Sequence, residues 1–473
     1  MRLKKALAVS LVAGILGLNF APLTAVAVQE NSDASVTKVE KQKKLSRKEK
    51  KALEEKQNKI NYINIEWWEN YNDPYLTEYI YKALANNKDL KIATLKVEES
   101  RQATKAQLAN ELPSFSVGAS PLLFKASEST KSQGSFAVPM IASYEADIFL
   151  KNRDKTRSAK KLYEASQLQE KATYITIAGE VGATYYNIVK LDKLIELQEE
   201  LIKDRKQIYE LMKVSNDEGI VSTSDLVQAD KAYVIACSDL IDLQKAREIM
   251  LNALAVLVGE SPANIATFKR ISFDEINDNR IIPESISSET ITARPDYLVA
   301  QKLVEKAGID VRVAKKEFLP TIDILGLLSF STSSVGSSFG WKSAVAGVGG
   351  SALLPLFTGG AKMANFRINK NRYEQTLLNY EKTNLTAIQE VNDSLSVLKL
   401  DNEKHLRNLS TLEIEQKDFG FAENKYEQGV ISYLDLLQKK EALLVMKKMV
   451  AASKSDCLVN HISLYKAVAG NLE

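Results

Sequence analysis

Histidine and cysteine are nearly absent from this 473-residue chain, which holds two of each. Two cysteines exclude a disulfide framework. Cys237 and Cys457 both fall in helical, apolar-patterned stretches. Cys457 sits on a seven-residue stripe with Leu436, Leu443, Val450 and Leu464, so it reads as a small core residue. His405 and His461 are too few and too far apart for a histidine-rich metal site, and His405 occupies a helical seam, where an interface residue is expected. The only glycine-bounded candidate for a phosphate loop, Gly336-Ser-Ser-Phe-Gly340, lies between strand patterns and opens no helix. No nucleophile and base stand in a defensible pattern. The residues therefore point to no catalytic site, no cofactor and no metal, and an enzyme is the least favoured class. A net charge of +3 is too small for a nucleic-acid binder of this size.

Long apolar runs are also missing beyond the N-terminus. There, Arg2, Lys4 and Lys5 precede an apolar stretch from Ala6 to Phe20 and a small-residue cleavage site, Ala25-Val26-Ala27, so residues 1–27 read as a secretory signal peptide. No cysteine adjoins that site to carry a lipid. Residues 28–65 include a Lys/Glu run, Lys41 to Lys56, expected to be solvated and disordered. No later segment has the length and apolarity of a membrane-spanning helix, so any span must be made of strands.

Proline is absent between Pro139 and Pro262 and after Pro355, which leaves two windows free for long helices. Both windows carry spacings of three and four, as in Leu194, Leu197, Leu201, Asp204, Ile208 and Leu211. A second stripe, Ile188, Leu191, Ile195 and Ile202, predicts a helix with neighbours on two sides, as in a wall. The expected long helices run from about Lys151 to Asn216 and from Ala361 to Glu427. Gly219 and Gly429 stop them, and Ser222 or its neighbours, with Asp225, start a returning helix.

The chain also repeats itself. Asp89-Leu-Lys-Ile-Ala and Leu112-Pro113 recur as Asp296-Tyr-Leu-Val-Ala and Leu319-Pro320, 207 positions on. Gly219-Ile-Val-Ser-Thr-Ser-Asp225 recurs as Gly429-Val-Ile-Ser-Tyr-Leu-Asp435, 210 positions on. The expected organisation is a first repeat over 66–270, a linker over 271–293 and a second repeat over 294–473. Each repeat reads helix, strand, loop, strand, long helix, turn, helix. The strands expected are Ser114 to Phe124, Phe136 to Phe149, Thr321 to Ser331 and Trp341 to Phe357. Four strands of membrane-spanning length cannot close a barrel, so several chains must share one.

These residues resemble the outer-membrane efflux proteins, the TolC-like channels, and within them the partners of resistance-nodulation-division pumps. The resemblance is carried by Trp67-Trp68, Asp73-Pro74, Ala83-Leu84, Leu112-Pro113, Tyr144-Glu145-Ala-Asp147-Ile-Phe149, Arg294-Pro295-Asp296, Pro355-Leu-Phe-Thr-Gly-Gly360 and Tyr426-Glu-Gln-Gly429. It covers Glu66 to Glu473. It implies a mainly helical fold with four membrane strands per chain and a homotrimer with one twelve-strand barrel on a helical periplasmic tunnel. The implied partners are a periplasmic adaptor protein, an inner-membrane transporter and outer-membrane lipid. It assigns a periplasmic gate to Asp225, Tyr426, Asp435 and Gln438, with glutamine where some members have a second aspartate. On this reading Tyr426 donates a hydrogen bond to Asp225. The tip turns at Gly219, Ser222, Gly429 and Ser432 are implied to meet the adaptor. Both aspartates also suit the first turn of a returning helix and need no gate to explain them. Two alternatives stay open: a channel for type I protein secretion, and a periplasmic coiled-coil scaffold with no pore.

Overall fold

The computed structural model describes residues 66–124, 133–263, 268–276, 282–332, 341 and 344–468. The signal peptide, the charged segment and the Gly336–Gly340 loop lie outside the described residues. The first repeat runs α1 (Pro74–Asn86), α2 (Lys88–Ala109), β1 (Ser114–Val117), β2 (Ser120–Phe124), β3 (Gln133–Glu145), α3 (Lys151–Asp217) and α4 (Thr223–Val258). The second runs α5 (Pro295–Lys316), β4 (Thr321–Thr332), β5 (Ala344–Leu353), α6 (Ala361–Glu427) and α7 (Tyr433–Ala467). Among the described residues no helix is long and apolar enough to cross a membrane.

The 67-residue helices α3 and α6 lie where the proline-free windows put them. At about 1.5 Å per residue each is about 100 Å long. Near the sheet the helices lie in the row α2, α3, α5, α6; near the far end the row is α4, α3, α7, α6. The two stripes on α3 are thereby used: Leu191, Ile195, Leu197 and Leu201 are all buried. Among the described residues α6 has helical neighbours on one flank only. It leaves Leu385, Leu400, Ile414 and Phe421 each more than 60% exposed.

The strands form one antiparallel sheet in which β3 pairs with β1 and β2 on one side and β4 on the other, and β4 pairs with β5. Three strand expectations need correction. The first strand is split between Val117 and Ser120, although its register against β3 is continuous. Gly118 donates to the Pro139 carbonyl at 2.9 Å, but proline has no N–H to return, so the ladder loses a bond there. The second strand ends at Glu145, not Phe149. Asp147 turns to cap α3, accepting from the amides of Lys151 at 2.6 Å and Arg153 at 2.8 Å. The fourth strand is shorter than expected, because Pro355 and the left-handed Gly359 and Gly360 follow it.

Register sorts the sheet into two faces. Val138, Met140 and Tyr144 of β3 align with Phe330, Leu328 and Ile324 of β4 on one face. Ser143, Glu145, Asp323 and Ser351 share the other, which also carries Ile141, Leu325 and Leu327. Alternation of this kind gives an apolar side and a second side that is polar at its helix end.

The core sits halfway along α3, where Ile177, Val181, Tyr185 and Ile188 meet Trp67, Trp68, Leu76, Ile80 and Leu254. Part of the expected linker also packs there: Phe273 and Ile276 are buried, and Lys454 donates to the Ile276 carbonyl at 2.9 Å. At this level the short helices meet end to end. Asn87 caps α2 and donates from Nδ2 to the Leu257 carbonyl at the end of α4, at 2.8 Å. Arg294, 207 positions on, precedes α5 and donates from Nη1 to the Ala467 carbonyl at the end of α7, at 2.7 Å. Arg294 also forks onto Asp296, at 3.0 and 2.7 Å, and reaches Glu390 of α6 at 2.6 Å. The duplication thus repeats the joint as well as the elements.

Removing Arg294 strands the Ala467 carbonyl and two carboxylates. Arg294→Met is expected to cost about 2 kcal/mol, below the figure for a fully buried pair because both carboxylates stay partly in water. Burial pushes the Asp296 carboxyl up, but Arg294 outweighs it and holds the group below its usual range. A depressed carboxylate stabilises the fold above its unfolded pKa of about 3.9 and loses that contribution as pH falls through the folded value. Thermal unfolding across pH should show a wild-type advantage that is full at neutral pH, begins to shrink where the variant's Asp296 carboxyl, raised by burial alone, takes up its proton, and has lost this contribution once wild-type Asp296 is protonated too. An advantage that stays constant down to about pH 2 would contradict this assignment.

Candidate gate at the helical tips

α3 and α6 end in the same motif. After Asp217, the Gly219 amide donates to the Asn216 carbonyl at 2.9 Å and the Ile220 amide to the Ser215 carbonyl at 2.8 Å. After Glu427, Gly429 donates to Tyr426 at 2.9 Å and Val430 to Lys425 at 2.8 Å. These paired bonds end a helix through a left-handed residue. Gly219 and Gly429 hold φ at +73° and +70°, which a Cβ would strain although open space surrounds both positions.

The returning helices also start alike. Ser222 accepts from the Asp225 amide at 3.2 Å, and the Asp225 carboxylate accepts from the Ser222 hydroxyl at 2.7 Å and its amide at 3.4 Å. Ser432 and Asp435 repeat the arrangement at 3.1, 2.7 and 3.1 Å. Each is a reciprocal capping box. The bonds from Ser432 hold the Asp435 carboxyl below its usual range. Both aspartates are exposed, as is Gln438 one turn beyond Asp435.

The tips differ at two duplicated positions. Asn216 closes its own turn, donating from Nδ2 to the Val221 carbonyl at 3.0 Å. Tyr426 stands in its place in the second tip, and its ring lies 5.5 Å from that of Tyr433, which replaces Thr223. Tyr433 donates to Gln207 of α3 at 3.3 Å, tying the second tip to the first long helix. Two further ties follow: Arg205 donates to Glu441 at 2.9 Å and Lys440 to the buried Asp204 at 2.9 Å. The expected hydrogen bond from Tyr426 to Asp225 does not form within the chain. Tyr426 packs on its own tip, and Asp225 is engaged by Ser222. Tyr433 is a further tip residue that no motif marks, and its one signal in the sequence is its alignment with Thr223 of the first repeat. Among the described residues no group of three or more His, Cys, Asp and Glu is placed to hold a metal.

The family profile described as "Outer membrane efflux protein" matches residues 79–260 and 286–470. The chain belongs to the outer membrane efflux protein family. It is accordingly a transport protein of the outer membrane and not an enzyme. The toluene efflux pump outer membrane protein TtgC of Pseudomonas putida is 27% identical over 418 residues, covering 85% of this chain and 84% of TtgC. The cation efflux system protein CusC of Escherichia coli is 26% identical over 414 residues, covering 87% and 90%. The Campylobacter jejuni outer membrane channel CmeC has the same fold, with a TM-score of 0.80 at 22% identity over 95% of both chains.

Ser432→Ala removes one half of a capping box and should cost about 1 kcal/mol locally. Amides at the start of α7 would then exchange with deuterium roughly fivefold faster. Ser222→Ala should do the same at α4. Unchanged exchange at both tips would show that the boxes carry none of the local stability.

Proposed function

We propose that three copies of this chain close into one outer-membrane channel with a gate at the helical tips. The observation that carries the reading is that two open edges coincide. α2 leads into β1, β3 into α3, α5 into β4, and β5 into α6, so the sheet and the helix row have the same order. One neighbouring copy placed against α6 would cover its exposed leucines and pair β5 at once. Hydrocarbon offers no partner for an open strand edge, which makes closure obligatory. Two copies would give about eight strands, whose interior side chains fill the barrel. Three give twelve, the smallest closed ring here with room for a conduit. The face with Ser143, Glu145 and Asp323 would line it.

The relatives TtgC and CusC are named as parts of an efflux pump and an efflux system, which supports export with an inner-membrane transporter over protein secretion. The tip turns, with Gly219, Ser222, Gly429 and Ser432, would then meet a periplasmic adaptor. Three copies of Asp435 and three of Asp225 would place carboxylates around a narrow mouth and favour cations. Gln438 adds no charge, so the α7 side of the mouth has one acidic ring. The Tyr426 hydroxyl is free to reach Asp225 of a neighbouring copy.

Purified protein in detergent should have the mass of three chains and give single-channel steps in a planar bilayer. A detergent-free monomer, or no conductance, would overturn the channel. Asp435→Asn should lower the cation-to-anion permeability ratio, and an unchanged ratio would remove Asp435 from the gate. Tyr426→Phe should raise the open fraction; an unaltered record would leave that residue to packing.

A further inference from the structure

Charge is unevenly placed along this chain. Of the four helix ends that meet the sheet, 151–161, 312–317 and 361–372 hold thirteen basic and two acidic residues, and 105–113 adds one of each, although the whole chain nets only +3. One of those two acids, Asp154, is 2% exposed and is surrounded by three cations. Lys316 lies 2.7 Å from it, Arg157 3.0 Å and Arg312 3.7 Å. One buried carboxylate cannot neutralise three cations. The side chains of Arg157 and Arg312 stay 50% and 56% exposed, with guanidinium donors left over.

The direction of the surplus follows from helix geometry. Lys151 reaches Glu145 at 2.6 Å, and Glu145 lies on the face of the sheet that is polar at its helix end. Arg153, Arg157 and Lys160 lie about 180–240° around α3 from Lys151, at about 100° per residue. All three are exposed. They occupy the side of α3 opposite Lys151, just as Met140 and Tyr144 occupy the sheet face opposite Glu145. Basic side chains just beyond an apolar membrane face meet headgroups, and each attracts anionic lipid.

We propose that Arg153, Arg157, Lys160 and Arg312 form a collar that binds the headgroups of anionic phospholipid in the periplasmic leaflet. This rests on the reading that the sheet lies in the outer membrane. The recognised chemistry is a phosphodiester with net negative charge at the level of the first turns of α3.

The test uses the purified full-length channel, incubated with phosphatidylglycerol, phosphatidylcholine or lipopolysaccharide and examined by native mass spectrometry. Wild type should retain phosphatidylglycerol over phosphatidylcholine. The variant Arg153→Gln/Arg157→Gln/Lys160→Gln should lose that preference by on the order of tenfold or more. Lys203→Gln/Lys206→Gln/Lys213→Gln, at the far end of α3 about 75 Å away, should keep it. The wild-type preference should also fade in about 1 M salt, where charges are screened beyond about 3 Å. Equal retention of the two phospholipids, or a preference unchanged in the collar variant, overturns the proposal. A collar-dependent preference for lipopolysaccharide instead overturns the leaflet. Conductance of the same preparations separates the two readings: a channel that conducts without lipid preference sinks the collar alone, and a protein that enters no bilayer sinks both.

Discussion

Among the described residues the outer edges of β1, β2 and β5 have no strand to pair with, and in the proposed membrane setting hydrocarbon supplies no substitute. Much of the architecture answers that constraint. Each strand continues directly from or into a helix, so whatever completes the sheet must also complete the row of helices. The exposed apolar flank of α6 is the helical counterpart of the open edge of β5. In the proposed trimer the chain is one sector of a larger body, which would account for the difference between its two 67-residue helices. α3 has helices on both flanks and buries 19 of its residues, whereas α6 buries five and is bare on one side.

Length creates a second problem, which the waist of the molecule resolves. A helix of about 100 Å needs neighbours along its whole extent, and no single short helix supplies them. Here two short helices meet end to end beside each long one. Asn87 and Arg294 bind the last carbonyls of α4 and α7, which would otherwise be unsatisfied at a buried helix end. The aromatic core built on Trp67, Trp68 and Tyr185 surrounds the same level. Gly182 shows how close that packing is, since a Cβ there would come within 2.8 Å of Trp67. In sequence the joints are marked only by the recurrence of Asp89-Leu-Lys-Ile-Ala as Asp296-Tyr-Leu-Val-Ala. What Asn87 and Arg294 hold lies 170 and 173 positions away, beyond the reach of any local pattern.

The tips show how duplicated parts diverge. Both keep the paired turn bonds and the capping box, because those bonds are local and depend on glycine, serine and aspartate at fixed spacing. Only the second tip gained Tyr426 and Tyr433, and with Tyr433 a bond to Gln207. The first tip remains self-contained through Asn216. Candidate gate residues could therefore be named from the sequence, while their contacts could not. Tyr426 and Asp225, expected to bond across the two tips, each stay with their own turn within the chain.

Local chemistry determined a great deal in this protein. The long helices, their glycine stops and their serine caps follow from propensity, proline placement and hydrogen bonds spanning a few residues. The strands were located by the same means, with errors at Gly118, Asp147 and Pro355, where the outcome depended on a partner strand, a helix start and a turn. Tertiary structure alone decided which helix lies beside which, that Arg294 closes a joint with Ala467, and that basic side chains around Asp154 outnumber the carboxylate they surround. Those arrangements join residues far apart in the chain, and neither period nor spacing encodes such distances.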